Sequence, residues 1–232
     1  MSHSASVSVI VPAYNEAGTV EGVVRGIDAV LDRWPGSHEI LVVDDGSRDA
    51  TLETVQRVAR DLPRVQVIEL PTNGGYGAAQ RSGLARARGD LVALLPADGQ
   101  IPPTELETYL RAAGEADVIV GAYRQRPDSR ARRMASWTYN RMLWLLFGVR
   151  LRNINAPKLY RRAHIQDLLI TSSGGFADAE LVIQLHARGR SFMEVEISCL
   201  PRTAGQSSIG WRAVVQAVLE LLRFWRSGRY RP

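Results

Sequence analysis

Five short apolar runs, each followed by a helical pattern or leading into one, constrain what this chain can fold into. Residues 7–11 form such a run and stop at Pro12. Val20, Val23, Val24, Ile27 and Leu31 then recur at helical spacing as far as Arg33. Residues 39–43 end in Asp44, Asp45, Gly46 and Ser47. Asp49 is the expected N-cap of a helix that turns Leu52, Val55, Val58 and Ala59 inward. Residues 65–68 lead through a glycine-rich turn to a helix over 78–88. Residues 91–95 lead to a helix opened by Pro102 and Pro103, and residues 117–120 give the fifth run. Unbroken apolar runs belong to strands buried on both faces. The alternation predicts an α/β fold, with a mostly parallel, Rossmann-like sheet sandwiched by helices.

Beyond Gly121 the pattern changes. Residues 124–133 are polar and rich in arginine, and residues 134–149 are helical with Trp137, Leu143, Trp144 and Phe147 giving a broad apolar surface. A short irregular or strand segment over 153–162 follows, then a helix over 176–188 and a strand over 191–197. A final helix over 210–226 carries Trp211, Val214, Val215, Val218, Leu221, Leu222 and Trp225 on one stripe. With 232 residues and 45% hydrophobic content, one core is expected. Residues 1–209 form the domain. Residues 210–232 form a C-terminal amphipathic, basic helix, packed on that domain or serving as a membrane-surface or dimer contact.

Charge is segregated. Residues 1–123 carry a net −7, residues 124–162 a net +10, residues 163–201 a net −3 and residues 202–232 a net +5. The basic blocks call for an anionic partner. Nucleic acid is excluded as that partner, because aromatic residues are few and acidic clusters stand at the strand ends. No uncharged apolar run reaches the length of a membrane span, and the N-terminus lacks a signal peptide's basic and apolar regions. Cys199 stands alone, which precludes an internal disulfide and fits a reducing compartment. The four histidines show no metal-ligand spacing.

Three strand ends carry polar clusters: Tyr14-Asn15-Glu16, Asp44-Asp45 and Asp98-Gly99-Gln100. In a doubly wound sheet all three open into one crevice at the carboxyl ends of the strands. Carboxylates there can accept from a base N–H, hold ribose hydroxyls or ligate a metal. Asp98 and Gln100 offer hard oxygens suited to Mg²⁺ or Mn²⁺ on a diphosphate. The glycine segment at 74–77 is no dinucleotide fingerprint, since Gln80 occupies the third glycine's place and the segment follows the third strand. Asp178 and Glu180, at a helix start, are the candidate general bases.

The motifs Val9-Ile-Val-Pro-Ala-Tyr-Asn-Glu16, Val42-Val-Asp-Asp-Gly-Ser47, Asn73-Gly-Gly-x-Gly-Ala78 and Ala97-Asp98-Gly-Gln100 occur in order. Lys158-Leu-Tyr-Arg-Arg162, Asp178-x-Glu180 and Arg202-x-x-Gly205-x-Ser207 follow them. Together they resemble a family 2 glycosyltransferase of the GT-A fold, in its polyprenyl-phosphate (dolichol-phosphate-mannose-synthase-like) branch. The resemblance implies inverting transfer from a nucleoside-diphosphate sugar, UDP- or GDP-linked, to a polyprenyl phosphate, with Mg²⁺ or Mn²⁺ on the diphosphate. It places Pro12, Ala13, Tyr14, Glu16, Asp44, Asp45, Asn73, Gly77, Ala97, Asp98, Arg202 and Ser207 at the nucleotide sugar. It places Lys158 and Arg161, with Arg133 of the basic block, at the acceptor phosphate.

The motif departs from the family at Pro96, where an Asp usually begins the metal site, so one hard ligand is lost. A second departure is Asn153 and Asn155, where relatives often carry an acid. The expected setting is cytoplasmic and peripheral, on the inner face of an anionic membrane, with a homo-oligomer left open. The alternatives are a transferase with a soluble acceptor, or a non-catalytic nucleotide-sugar-binding protein.

Overall fold

The computed structural model describes residues 5–124, 130–201 and 211–230. Its elements run β1 (Val7–Ala13), α1 (Val20–Leu31), β2 (His38–Asp44), α2 (Thr51–Asp61), β3 (Val65–Glu69), α3 (Tyr76–Leu84), β4 (Leu91–Leu94) and α4 (Glu105–Ala112). They continue β5 (Val118–Tyr123), α5 (Arg130–Phe147), β6 (Lys158–Arg161), α6 (Arg162–Ile165), α7 (Ala177–Ala187), β7 (Phe192–Ile197) and α8 (Trp211–Ser227). The seven strands form one sheet in the order β3-β2-β1-β4-β6-β5-β7. Every pair is parallel except those made by β6, which runs antiparallel to both β4 and β5.

Strand alternation sorts the core into two layers. Val7, Val9 and Val11 of β1 face one way, into the layer filled by Val24 and Ile27 of α1, Val55 of α2 and Leu106 of α4. Ile10 faces the other way, with Ala79 of α3 and Leu181 and Leu185 of α7. A third cluster joins α5, α7 and α8 through Leu143, Phe176, Val182, Leu221 and Phe224. The chain winds from β1 to β2 and β3 on one side, then returns to place β4 on the other. A switch point therefore opens between β1 and β4, where ligands of open α/β sheets bind.

Two expectations change. Asp49 is not the N-cap of α2, a place taken by Ala50. The Asp49 carboxylate instead accepts from the Thr51 N–H at 3.0 Å and from its hydroxyl at 2.5 Å, a local turn that competes with capping. The α8 stripe is rotated: Leu221 and Phe224 are buried, while Val215, Leu219, Leu222 and Trp225 are exposed. The aromatic rings of Phe147, Phe176 and Phe224 meet, with centroids 5.6–6.1 Å apart, and this contact selects the inward edge of the helix.

Candidate functional site

The β1 and β2 ends are tied together by their own polar side chains. Asn15 adopts a left-handed φ of 54°, which an Asn tolerates. Its N–H donates to Ser47 Oγ (3.0 Å), and its Oδ1 accepts from the Arg48 N–H (2.8 Å). The Glu16 N–H donates to Thr51 Oγ1 at 2.8 Å. Asp44 and Asp45 follow at the end of β2, both buried. Asp44 Oδ2 accepts from the Ser47 N–H (3.1 Å), while its Oδ1 is buried with no partner. Asp45 takes the Gly74 and Gly75 N–H groups on its two oxygens, at 2.8 and 2.9 Å. Burial raises its pKa, and the two glycine N–H groups pull it back down.

Pairing between β1 and the β4 end continues past the strand. The Leu95 N–H donates to Ile10 O at 3.0 Å and the Ala97 N–H to Pro12 O at 3.2 Å. Asp98 thus stands beside Pro12 and Ala13. The three predicted clusters share one sheet edge. Gln100 donates its backbone N–H to Asp98 Oδ1 (3.1 Å) and its side-chain N–H to Leu200 O (3.4 Å), so its amide is tied to the segment after β7. Pro96 leaves Asp98 as the only carboxylate in the 96–100 turn. Arg202 and Ser207 lie outside the described residues.

Behind this edge lies a buried polar network. Lys158, level with Leu94 in the β4–β6 register, is 2% exposed and donates to Ala156 O at 2.8 Å. Its ammonium is 3.6 Å from Asp178 Oδ1. Asp178 also accepts from Gln80 Nε2 (3.2 Å) and from the Tyr76 hydroxyl. Burial raises the Asp178 pKa against the pull of Lys158, and burial lowers that of Lys158. The Tyr76 phenol is held well above its ordinary pKa, first by burial and then by Asp178, with Tyr123 and Asp98 adding to it. Tyr76 therefore lies within electrostatic reach of both Asp178 and the crevice carboxylate Asp98.

Three predicted residues do not face this crevice. Glu180 is fully buried and accepts from the Thr171 N–H and hydroxyl and from the Ser172 N–H, at 2.8–3.1 Å. Lys158 is committed to Asp178 beneath the surface. Arg161 pairs in register with Leu91, at the opposite end of the sheet, beside Asp117 at 3.9 Å. The antiparallel course of β6 separates it from Lys158.

On the same side of the sheet, at the end of β5, a groove of about 810 Å³ runs between α5 and the segment 149–153. Arg133, Arg141, Arg150 and Arg152 line it with Trp137, Trp144 and Tyr123. The Arg141 guanidinium lies 4.0 Å from the Trp144 ring centroid and that of Arg150 lies 5.1 Å from it. Asn153, one of the departures from the acidic pattern, accepts from the Tyr123 N–H at 3.1 Å. Among the described residues Glu194 is the groove's one acid, and it accepts from the Arg152 N–H at 2.7 Å. The sequence signal for this groove was the basic block together with the apolar surface of the 134–149 helix. Tyr76, Gln80 and Tyr123 carried no signal, because their partners come from distant segments.

Among the described residues, Asp28, Asp32 and His38 are the one group of three metal-type ligands within reach of one another. Linear spacing concealed it. It lies at the start of β2, away from the crevice, and Arg64 occupies it, 2.6 Å from Asp32 and 3.2 Å from His38.

Residues 8–171 match the family model for glycosyl transferase family 2. An undecaprenyl-phosphate 4-deoxy-4-formamido-L-arabinose transferase of Pseudomonas aeruginosa is 31% identical over 221 residues, covering 93% of this chain and 64% of that protein. A dodecaprenyl-phosphate galacturonate synthase of Rhizobium johnstonii is 32% identical over 170 residues, 71% of this chain and 50% of that protein. The chain thus spans at most about two thirds of these relatives' length. The glucosyl-3-phosphoglycerate synthase of Mycobacterium tuberculosis, solved with Mn²⁺, UDP and phosphoglyceric acid, superposes with a TM-score of 0.77. The match covers 95% of this chain and 78% of that one at 19% identity, a likeness of fold.

Proposed function

The chain belongs to glycosyl transferase family 2, and from that premise we propose that it moves a sugar, with inversion, from a nucleoside-diphosphate donor to a polyprenyl phosphate at a membrane surface. The observation that carries the reading is a juxtaposition. An acidic crevice at the β1–β4 switch point and a groove at the end of β5, lined by four arginines and two tryptophans, open on the same carboxyl-terminal side of the sheet. The crevice offers acceptors for the N–H and hydroxyl groups of a nucleoside; the groove offers charge to a phosphate and apolar surface to the chain attached to it. The relatives named for undecaprenyl and dodecaprenyl phosphate support that acceptor class.

Pro12, Ala13, Tyr14, Glu16, Asp44, Asp45, Asn73, Gly77, Ala97 and Asp98 would line the donor, with the buried, unpartnered Asp44 Oδ1 open to a donor hydroxyl or N–H. Arg202 and Ser207 keep their places at the donor phosphates as part of this reading. Arg133 serves the acceptor phosphate, joined by Arg141 and Arg150. Lys158 and Arg161 do not, for the reasons of burial and position given above.

A divalent ion fits this donor set only together with the diphosphate. Asp98 supplies one anionic oxygen and Gln100 a neutral one, and Mg²⁺ or Mn²⁺ commonly sits on one or two carboxylates plus substrate phosphates. Bound there, it would neutralise charge on the leaving diphosphate. The protein's own share is positioning and electrostatics. The acceptor phosphate oxygen forms a bond to the anomeric carbon as the bond from that carbon to the diphosphate breaks. The base role falls to Asp178, acting through the Tyr76 hydroxyl if the acceptor arrives protonated. Glu180 is spent on the 171–172 turn. No helix among the described residues is long and apolar enough to cross a membrane. In this reading the described residues meet the inner face through the groove's arginines and the exposed apolar side chains of α5.

The test is transfer of radiolabel from a panel of UDP- and GDP-sugars to undecaprenyl phosphate, read by partition into butanol. Label recovered in butanol supports the reading. Label recovered only on a water-soluble acceptor replaces the lipid with a soluble one, and tight donor binding without turnover on any acceptor overturns the enzymatic reading.

A further inference from the structure

We propose that Glu220 of α8 is a positioning residue for the transfer reaction, holding the 172–175 turn against the glycine turn so that Tyr76 and Asp178 keep their places. The inference rests on the transferase reading and adds a residue that no crevice contact would identify.

Glu220 is 9% exposed, and its Oε1 accepts from the Ser173 N–H (3.2 Å), the Ser173 hydroxyl (3.2 Å) and the Gly174 N–H (3.1 Å). Gln216, one helical turn earlier, donates to Glu220 Oε1 at 3.0 Å and to Ser173 Oγ at 3.3 Å. Glu220 Oε2 is buried without a partner. A carboxylate buried with half its acceptors unused is a costly way to satisfy one turn. A hydroxyl or amide would serve the turn alone.

The same turn presses on the glycine turn with no slack. Ser173 O accepts from the Gly77 N–H at 2.9 Å, and Arg81 donates to Ser172 O at 2.7 Å. A Cβ on Gly75 would stand 2.5 Å from Ser173 O, and one on Gly77 would stand 2.2 Å from Ser172 O. Between these glycines lies Tyr76, whose hydroxyl meets Asp178. Past the turn, α7 carries Asp178 in its first turn. A shift of the 172–175 turn therefore moves both partners of the Tyr76–Asp178 contact. Glu220 ties that turn to a helix 46 positions downstream, whose outer face exposes Val215, Leu219 and Trp225.

The experiment compares Glu220→Leu and Glu220→Gln with Phe224→Leu, a packing change on the same helix that removes ring contact with Phe147 and Phe176 but keeps every hydrogen bond from the helix to the turn. Two readouts are taken: hydrogen exchange of the 74–77 amides, and kcat and KM for undecaprenyl phosphate with the donor that supports wild-type transfer. Glu220→Leu should speed exchange at 74–77 and lower kcat by about tenfold or more, with KM changed less than about threefold. Glu220→Gln, which keeps an acceptor, should recover most of both. Phe224→Leu should lower Tm while leaving both readouts near wild type. If Glu220→Leu behaves as Phe224→Leu does, or if exchange changes and kcat does not, the inference is overturned. Should the wild type transfer to no lipid acceptor, the proposed function fails. The exchange comparison then decides the positioning claim alone, and unchanged 74–77 amides in Glu220→Leu reject it.

Discussion

The Lys158 ammonium lies 3.6 Å from Asp178 Oδ1, and both side chains are buried. A buried pair of this kind is costly to break from one side, because the survivor is left as an uncompensated charge. Lys158→Met should therefore destabilise the protein by about 3–5 kcal/mol. Adding Asp178→Leu should restore most of that loss, since two apolar groups need no counter-charge. Urea denaturation of the two variants checks this. A double variant no more stable than Lys158→Met would count against a direct charge pairing.

Burial raises the Asp178 pKa, which sets a direction for the pH dependence. A folded pKa above the unfolded one stabilises the fold below the unfolded value, and that contribution is lost as pH rises through the folded value. The reaction runs the other way, because a base must be ionised. Transfer should fall as pH drops through the raised pKa, so the acidic limb of kcat should lie above the ordinary Asp range. Asp178→Asn should remove that limb and lower kcat by about 10²–10⁴-fold. Lys158→Met, where it folds, should move the limb to still higher pH. An unchanged profile in Asp178→Asn would take the base role away from this residue.

The crevice proposed for the donor was legible in the chain because it is built from local motifs at strand ends. Apolar runs gave β1 to β5, and Asp44, Asp45 and Asp98 had to emerge where those runs stop. The surroundings of Lys158 and Arg161 were not, because the antiparallel β6 decides them. Lys158 and Arg161 lie three residues apart, yet one faces the buried Asp178 and the other the far edge beside Asp117. Nothing in the Lys-Leu-Tyr-Arg spacing sets that direction. Glu180 looked like a partner of Asp178 for the same reason, until the 171–172 backbone claimed it. In α8, the pattern identified an amphipathic helix but not which edge Phe147 and Phe176 would cover.

Asp45 gathers the Gly74 and Gly75 N–H groups, and the glycine turn in turn lies against 172–173. Asp45→Ala leaves both N–H groups without their acceptor and should cost about 1–3 kcal/mol of stability, with weaker UDP binding. Gly77→Ala tests the other side of the turn. Its new methyl would meet the Ser172 carbonyl, for an expected loss of about 1–3 kcal/mol. Thermal unfolding and UDP calorimetry on each variant check the pair. If Gly77→Ala is as stable as wild type and binds UDP equally well, the two turns are not in rigid contact.

The proposed membrane contact has its own readout, vesicle binding, although Arg141 and Arg150 also serve the proposed acceptor phosphate. Along α5, Met134, Trp137 and Leu145 are exposed, and Arg141 and Arg150 lie over Trp144 beside them. Exposed apolar side chains beside stacked arginines suit an interface where rings enter the headgroup layer and guanidinium groups meet lipid phosphate. The exposed edge of α8, with Leu219, Leu222 and Trp225, adds apolar area of the same kind. Each basic residue near an anionic surface contributes about 1 kcal/mol. The double variant Arg141→Glu with Arg150→Glu should therefore weaken binding to phosphatidylglycerol-rich vesicles by at least about tenfold. High salt should release the wild type, because exposed charge attraction is screened beyond roughly 3 Å at 1 M. Trp137→Ala should weaken binding without changing its salt dependence, since the apolar term is unscreened. Co-sedimentation that ignores both lipid charge and salt would falsify the surface contact and leave the crevice chemistry untouched.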